Sequence, residues 1–191
     1  MEPMKKELIV VLRFTLVTTV VFGLLYPLGM TGLSKALFPK QSAGSLIEKD
    51  GRIVGSRLIG QAFTADKYFH SRPSSAGAGY DASASGPSNL APTNQALVDR
   101  VKTDVAKLQQ ENPGASIPAD LVTSSGSGLD PEVSPAAAEF QVPRVAKARG
   151  MSVEAVRALV ARHTQGRTLG IFGEPRVNVL ELNLDLDAGK H

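Results

Sequence analysis

The side chains able to do chemistry are few and scattered. The chain has no cysteine, which removes thiolate nucleophiles, disulfides and Cys-ligated zinc or iron–sulfur sites. His70, His163 and His191 are far apart and none stands in a metal-ligand spacing, so no metal site is expected. No Gly-x-Ser-x-Gly elbow is present, and no histidine lies close in sequence to a plausible serine nucleophile. The densest cluster is Tyr68-Phe69-His70-Ser71-Arg72-Pro73. Two aromatics, an imidazole and a guanidinium there could bind an anion or a partner. The plainer reading makes Tyr68 and Phe69 core residues and Arg72 a loop cap.

A second candidate is Ser85-Gly86-Pro87-Ser88-Asn89, one glycine and two hydroxyls in a row. Ser85, Gly86, Ser88 and Asn89 are its candidate nucleotide contacts. It lacks the lysine and the strand–helix setting of a phosphate-binding loop, so a structured turn is the default. A third stretch, Val145 to Val156, spaces alanine, glycine and valine like a helix-turn-helix, followed by Arg157, Arg162 and His163. The carboxylate pairs Asp185/Asp187 and Glu48/Asp50 fall on expected strand or turn positions that favour solvent. No catalytic residue is assigned.

Charge decides the helix-turn-helix case. The formal net charge is +3, and residues 1–40 hold five basic side chains against two acidic ones. The remaining sixteen of each sign cancel. A nucleic-acid-binding domain keeps its excess positive charge on the folded part, to neutralise phosphates. Here the excess flanks an apolar run, so no nucleic acid partner is expected. The Ala146–His163 region reads as a helical hairpin, with a membrane-tethered DNA-binding regulator as the distant alternative.

The elements that must position these groups begin with that run. Phe14 to Ser34 is 21 residues without a charge. Extended to Leu8–Met30, it carries only Arg13, near its N-terminal end, where the long stem can snorkel to the interface. At ~1.5 Å per residue the segment spans roughly 34 Å, enough for a ~30 Å hydrocarbon core. It is apolar all round, unlike a core helix, and lacks a good signal-peptide cleavage site. Residues 8–30 are therefore expected to be a single transmembrane helix in the lipid bilayer. Lys5, Lys6 and Arg13 outnumber Lys35 and Lys40, which biases the N-terminus toward the cytoplasm. Residues 41–191 then form a domain outside the cytoplasm.

Within that domain, Lys49-Asp50-Gly51-Arg52 between two β-prone runs signals a type I′ hairpin over Leu46 to Phe63. Ser74 to Pro92 has linker composition but interleaves Tyr80, Asp81, Asn89 and Leu90. Pro92 to Asn112 reads as an amphipathic helix capped by Thr93 or Asn94. Thr123 to Gly128 is a second small-residue loop. Ser134-Pro135 opens another helix, which Pro143 is expected to interrupt and restart at Arg144. Ser152 caps a further helix, ending at an exposed His163. Leu180, Leu182, Leu184 and Leu186 alternate with polar residues, which predicts a C-terminal strand. The expected class is α+β.

Seven segments then occur in order: Gly60-Gln61-Ala62-Phe63, Tyr68 to Ser74, Ser85 to Asn94, Ser127 to Pro131, Ser134 to Ala138, Gln141 to Ala146, and Glu174 to Leu180. Together with the N-terminal span they make the chain resemble the C subunit of the bacterial Kdp-type high-affinity potassium-transporting ATPase. The resemblance covers nearly the whole chain; one departure is Pro87, where the family pattern has glycine. It implies an inner-membrane assembly with two partners, a channel-like potassium-translocating subunit and a P-type ATPase subunit. In it, the C subunit is an accessory chain that is needed for assembly and raises the ATP affinity of the ATPase subunit. This sequence has no Asp-Lys-Thr-Gly-Thr phosphorylation motif. ATP and potassium would be handled by the complex, and no cofactor is assigned to this chain. A lid or brace on the external face of the potassium-translocating subunit fits the expected topology, with any effect on ATP transmitted by linkage. Tyr68, Arg72, Ser88, Asn89, Asn94 and Arg144 are the candidate subunit contacts. Direct ATP binding through Ser85–Asn94 is the alternative.

Overall fold

The computed structural model describes residues 2–189; His191 lies outside them. The chain divides between Leu46 and Ile47 into two compact units.

The first unit is helical. Helix α1, Glu2–Thr18, passes through a π-helical segment, Thr19–Leu25, into α2, Tyr26–Leu37, and a one-turn α3, Pro39–Ser42. Met4–Leu37 form one helix of 34 residues, long and apolar enough to cross a membrane. The helix is thus longer than the expected 8–30. The π segment ends at Leu25, two residues before Pro27, which lacks the N–H that Gly23 would otherwise receive and whose ring crowds that carbonyl.

The expected hairpin, β1 Leu46–Lys49 and β2 Arg52–Ser56, starts at this boundary, and all of it after Leu46 belongs to the second unit. Asp50 and Gly51 both take positive φ, 53° and 73°, as a type I′ turn requires. Three very short antiparallel strands form a second sheet in the order β3 (Glu132–Val133), β5 (Arg176–Asn178), β4 (Thr164–Gln165). In register, Val133 and Thr164 both face Val177. Against this sheet pack α5 (Pro135–Arg149), α6 (Val153–His163) and α7 (Val179–Ala188). Helix α4 (Gln95–Glu111) is amphipathic as read, with Leu108 against the core and the Asn94 side chain accepting from the Ala96 N–H. Serine caps start α5 and α6 as expected: Ser134 Oγ accepts from Ala137 N–H and Ser152 Oγ from Ala155 N–H. The α5–α6 turn closes on Gly150 at φ 65°, giving the helical hairpin. The core is Phe69, Val142, Val145, Val156, Leu159, Val177, Val179 and Leu182.

Four expectations are corrected. The period-two leucines are not a strand; Val179–Ala188 is helix α7. Its buried positions are Val179, Leu180, Leu182, Asn183 and Leu186, of which 179, 182, 183 and 186 follow helical spacing and 180 and 183 are one turn apart, and Asn178 caps it by accepting from the Glu181 N–H. Pro143 does not break α5, which runs unbroken from Pro135 to Arg149. Pro143 and Glu139, the residue whose carbonyl loses its donor, both lie on the exposed face, where water can serve that carbonyl. His163 is not a solvated end residue: its Nε2 lies 3.0 Å from Asp185 Oδ2. Asp185 and Asp187 accordingly do not simply face solvent, because α7 turns them toward His163 and Arg149.

Candidate functional site: a strap and two interlocked loops

Residues 65–73 form no strand or helix, yet Phe69 is wholly buried. What holds them is side-chain amide chemistry. Asn183 Oδ1 accepts from Phe69 N–H at 2.8 Å, and its Nδ2 donates to Phe69 O at 2.9 Å. Gln141 does the same one residue on: Oε1 accepts from His70 N–H at 2.8 Å and Nε2 donates to His70 O at 3.1 Å. Two helix side chains thus replace a β-ladder partner, satisfying four backbone groups that burial would otherwise strand. Among the described residues every buried side-chain N or O atom has a partner.

Two arginines close the strap from outside. Arg144 donates to Glu111 Oε1 (2.7 Å), Asp66 O (2.6 Å), Tyr68 O (2.9 Å) and Gln141 Oε1 (2.7 Å). Arg149 donates to Lys67 O (2.6 Å), Leu186 O (3.1 Å) and Asp187 Oδ1 (2.8 Å). Its guanidinium also lies 5.1 Å from the Tyr68 ring centre, with Lys67 Nζ at the same distance. The Tyr68 hydroxyl donates to Asp187 Oδ2 at 2.9 Å. Burial opposes ionisation of Asp187, but the bonds from Arg149 and Tyr68 outweigh it and hold its pKa below the ordinary value. Burial, reinforced by the Arg144 charge, lowers the pKa of His70.

Beyond the strap the two small-residue loops lock together. Arg72 Nη1 meets Asp130 Oδ2 at 3.1 Å, and Nη2 donates to Thr123 Oγ1 at 3.3 Å. The Tyr80 hydroxyl donates to Arg72 O. Ser74 Oγ donates to Gly128 O and accepts from the N–H groups of Ala76 and Tyr80. Ser127 O receives both Ser85 Oγ (3.0 Å) and Gly86 N–H (2.8 Å). Gly128 sits at φ 67°, and a Cβ there would stand 2.7 Å from Ala76 N and 2.8 Å from Gly86 O. Only glycine fits that crossing. The stretch with linker composition is therefore ordered.

The structure brings Tyr68 and Arg144 together, ties Arg72 to the loops, and leaves Ser88, Asn89 and Asn94 toward the outer side. Ser88 Oγ accepts from Leu90 N–H at 3.5 Å, Asn89 is exposed in the left-handed region at φ 53°, and exposed Asn94 caps α4. Pro87 is also exposed. The N–H groups of Gly86, Leu90, Asn94 and Ala96 bond within the chain, so they are not gathered into an anion cradle. No group of three or more His, Asp or Glu is placed to hold a metal among the described residues. An open cleft of about 540 Å³ lies beside the strap, lined by Asp66, Lys107, Glu111, Arg144 and Lys147.

Sequence reasoning missed Gln141, Asn183, Arg149, Asp187 and Asp130. The available signal was an amide on the buried face of a helix: Gln141 between Phe140 and Val142, and Asn183 after Leu182.

A family model for the K+-transporting ATPase, c chain, matches residues 8–188. The chain belongs to that family. A protein named potassium-transporting ATPase KdpC subunit from Koribacter versatilis is 62% identical over 184 residues, covering 96% of this chain and 95% of the relative. One of the same name from Rhodopseudomonas palustris (strain BisB18) is 57% identical over 199 residues, covering 98% of this chain and all of the relative. One from Caulobacter vibrioides is 60% identical over 171 residues, covering 89% and 87%. The match runs through the apolar helix, the strap and both loops, so the family resemblance rests on the same segments that build this site.

Proposed function

We propose that this chain is an accessory, non-catalytic subunit of an ATP-driven, high-affinity potassium import complex. The observation that carries the reading is the family match over residues 8–188, which takes in one membrane-length apolar helix and the whole strap-and-loop unit. The helix anchors the chain in the bacterial inner membrane as a single-pass protein with a cytoplasmic N-terminus, and the α+β domain lies on the periplasmic or external side. The basic residues before the span support that orientation. The partners are the potassium-translocating subunit and the P-type ATPase subunit.

In this role the domain works as a shaped brace. Tyr68, Arg72 and Arg144 act mainly through the surface they hold in place, since their polar groups bond within the chain. Ser88, Asn89 and Asn94, on the outer side of the loops, are the direct contacts. The brace stabilises the assembly, and its effect on the ATP affinity of the ATPase subunit is a coupling between sites with no nucleotide contact here. Deleting the chain abolishes high-affinity, ATP-driven potassium uptake; uptake unchanged by the deletion would sink the reading. Protease access to the domain in intact spheroplasts tests the topology separately, and full protection there would place it in the cytoplasm.

A further inference from the structure

The long helix of the first unit outruns its own charge-free stretch. Phe14 to Ser34, 21 residues, is bounded by Arg13 and Lys35. At ~1.5 Å per residue that stretch spans roughly 32 Å, close to the ~30 Å of a hydrocarbon core. With Arg13 snorkelling to one edge of the core, Lys35 stands at the other. Past Lys35 the helix continues to Leu37. Phe38 then leaves helical geometry, with φ −135° and ψ 60°, and Pro39 opens the one-turn α3.

This elbow pairs its own backbone. Phe38 N–H donates to Ser34 O (2.8 Å), Ser42 N–H to Phe38 O (2.9 Å), Ala43 N–H to Pro39 O (3.2 Å) and Ser45 N–H to Lys40 O (3.0 Å). The Ser42 hydroxyl also donates to Pro39 O at 3.0 Å. Pro39 itself has no N–H to satisfy. A tether lying in water could leave these groups to solvent, whereas a segment that meets lipid must satisfy them internally. The side chains sort in the same sense. Leu33 and Leu37 lie one turn apart on one face of α2, and Lys35 lies on the opposite face. Phe38 and Lys40 follow at the bend. Charge is one-sided as well: between Glu7 and Glu48 the chain has Arg13, Lys35 and Lys40 and no acidic residue.

We propose that the Leu33–Lys40 elbow is a binding site for anionic phospholipid at the C-terminal edge of the span. Lys35 and Lys40 take headgroup phosphates, and Leu37 and Phe38 rest among the upper acyl chains. The bilayer is the occupant because the elbow continues the span without a break and sets two lysines, with no carboxylate nearby in sequence, at headgroup depth. Held there, the elbow fixes the depth of a helix that is longer than the bilayer needs. The inference rests on the membrane-anchor reading and adds the ligand that sets the anchor.

The test uses the full chain, which has no tryptophan, reconstituted in vesicles of phosphatidylcholine and phosphatidylglycerol. Phe38→Trp then supplies the single indole. Its emission should be blue-shifted, and lipids brominated high on the acyl chain should quench it more than lipids brominated near the chain end. Moving the bromines from phosphatidylcholine to phosphatidylglycerol should strengthen the quenching. The pair Lys35→Gln, Lys40→Gln should remove that preference, a loss of about fivefold in relative lipid affinity per lysine. Emission at the wavelength of indole in water, unquenched by either lipid, overturns the proposal, as does a preference that the double variant leaves unmoved. In the co-expressed complex a photo-crosslinking residue at position 38 should form an adduct with lipid; an adduct with a protein subunit alone also overturns it. If alkaline carbonate strips the wild-type chain from membranes, the membrane-anchor reading fails first.

Discussion

The replacement Asn183→Leu isolates what the strap contributes. Leucine keeps the branched outline of the side chain, though its methyls are bulkier, and removes the acceptor for Phe69 N–H and the donor to Phe69 O, bonds of 2.8 and 2.9 Å. Both backbone groups are then buried without partners. Each such group costs about 1–3 kcal/mol, so the loss is about 2–6 kcal/mol, less the ~1 kcal/mol that a buried leucine recovers. Urea titration of the full chain in detergent, followed by tyrosine fluorescence, reads this directly, because Tyr68 and Tyr80 lie in the second unit and the chain has no tryptophan. The midpoint should fall with little change in slope. Amide exchange at Phe69 and His70 should accelerate more than at Val142 or Val156, since the strap opens before the core. A loss under about 0.5 kcal/mol with Phe69 still protected would refute the idea that side-chain amides stand in for a β-ladder here.

Further outcomes rest on the same geometry. His70 has a lowered pKa in the folded state, so the unfolded chain takes up its proton first; stability should hold above the ordinary histidine value and fall as pH drops below it. Replacing His70 by Gln should flatten that part of a stability–pH curve. The lowered pKa of Asp187 works in the same sense at lower pH: its contribution is present above the ordinary carboxylate value and lost as pH falls through the lowered one, and Asp187→Asn should remove that step. Gly128→Ala forces a Cβ to within 2.7 Å of Ala76 N at a positive φ, and thermal melts should show a loss of about 1–3 kcal/mol with loosened loops. Arg144→Lys cannot reach Glu111, Asp66, Tyr68 and Gln141 together, because one ammonium replaces a planar fork; a loss of about 1.5–3 kcal/mol is expected by the same melts.

Local rules made much of the unit legible. Asp50-Gly51, Ser134-Pro135 and Ser152 declare their turn and caps because backbone geometry at those points depends on the residue itself and one or two neighbours. The same rules failed where a local pattern had two meanings. Leucines at 180, 182, 184 and 186 alternate like a strand, but the buried set on α7 is Val179, Leu180, Leu182, Asn183 and Leu186, which includes adjacent residues and leaves out Leu184. The capping pattern Asn178-x-x-Glu181 was the discriminating signal. Pro143 looked like a break because its cost depends on whether the freed carbonyl faces water, which sequence does not show. The candidate site was legible only in part. Tyr68 and Arg72 stood in the densest polar and aromatic cluster, and Arg144 in a segment of the family resemblance, but their partners Asp187, Asp130 and Glu111 lie 119, 58 and 33 residues away.

By itself the sequence determined the membrane-length helix, the charge neutrality of residues 41–191 and the family, because hydropathy, net charge and an ordered set of motifs are properties of the linear chain. The tertiary structure alone decided that a strand-less strap is held by Gln141 and Asn183, and that two loops of linker composition cross at Gly128. Each of these depends on which distant backbone groups meet when the core closes, and no nearest-neighbour rule encodes that.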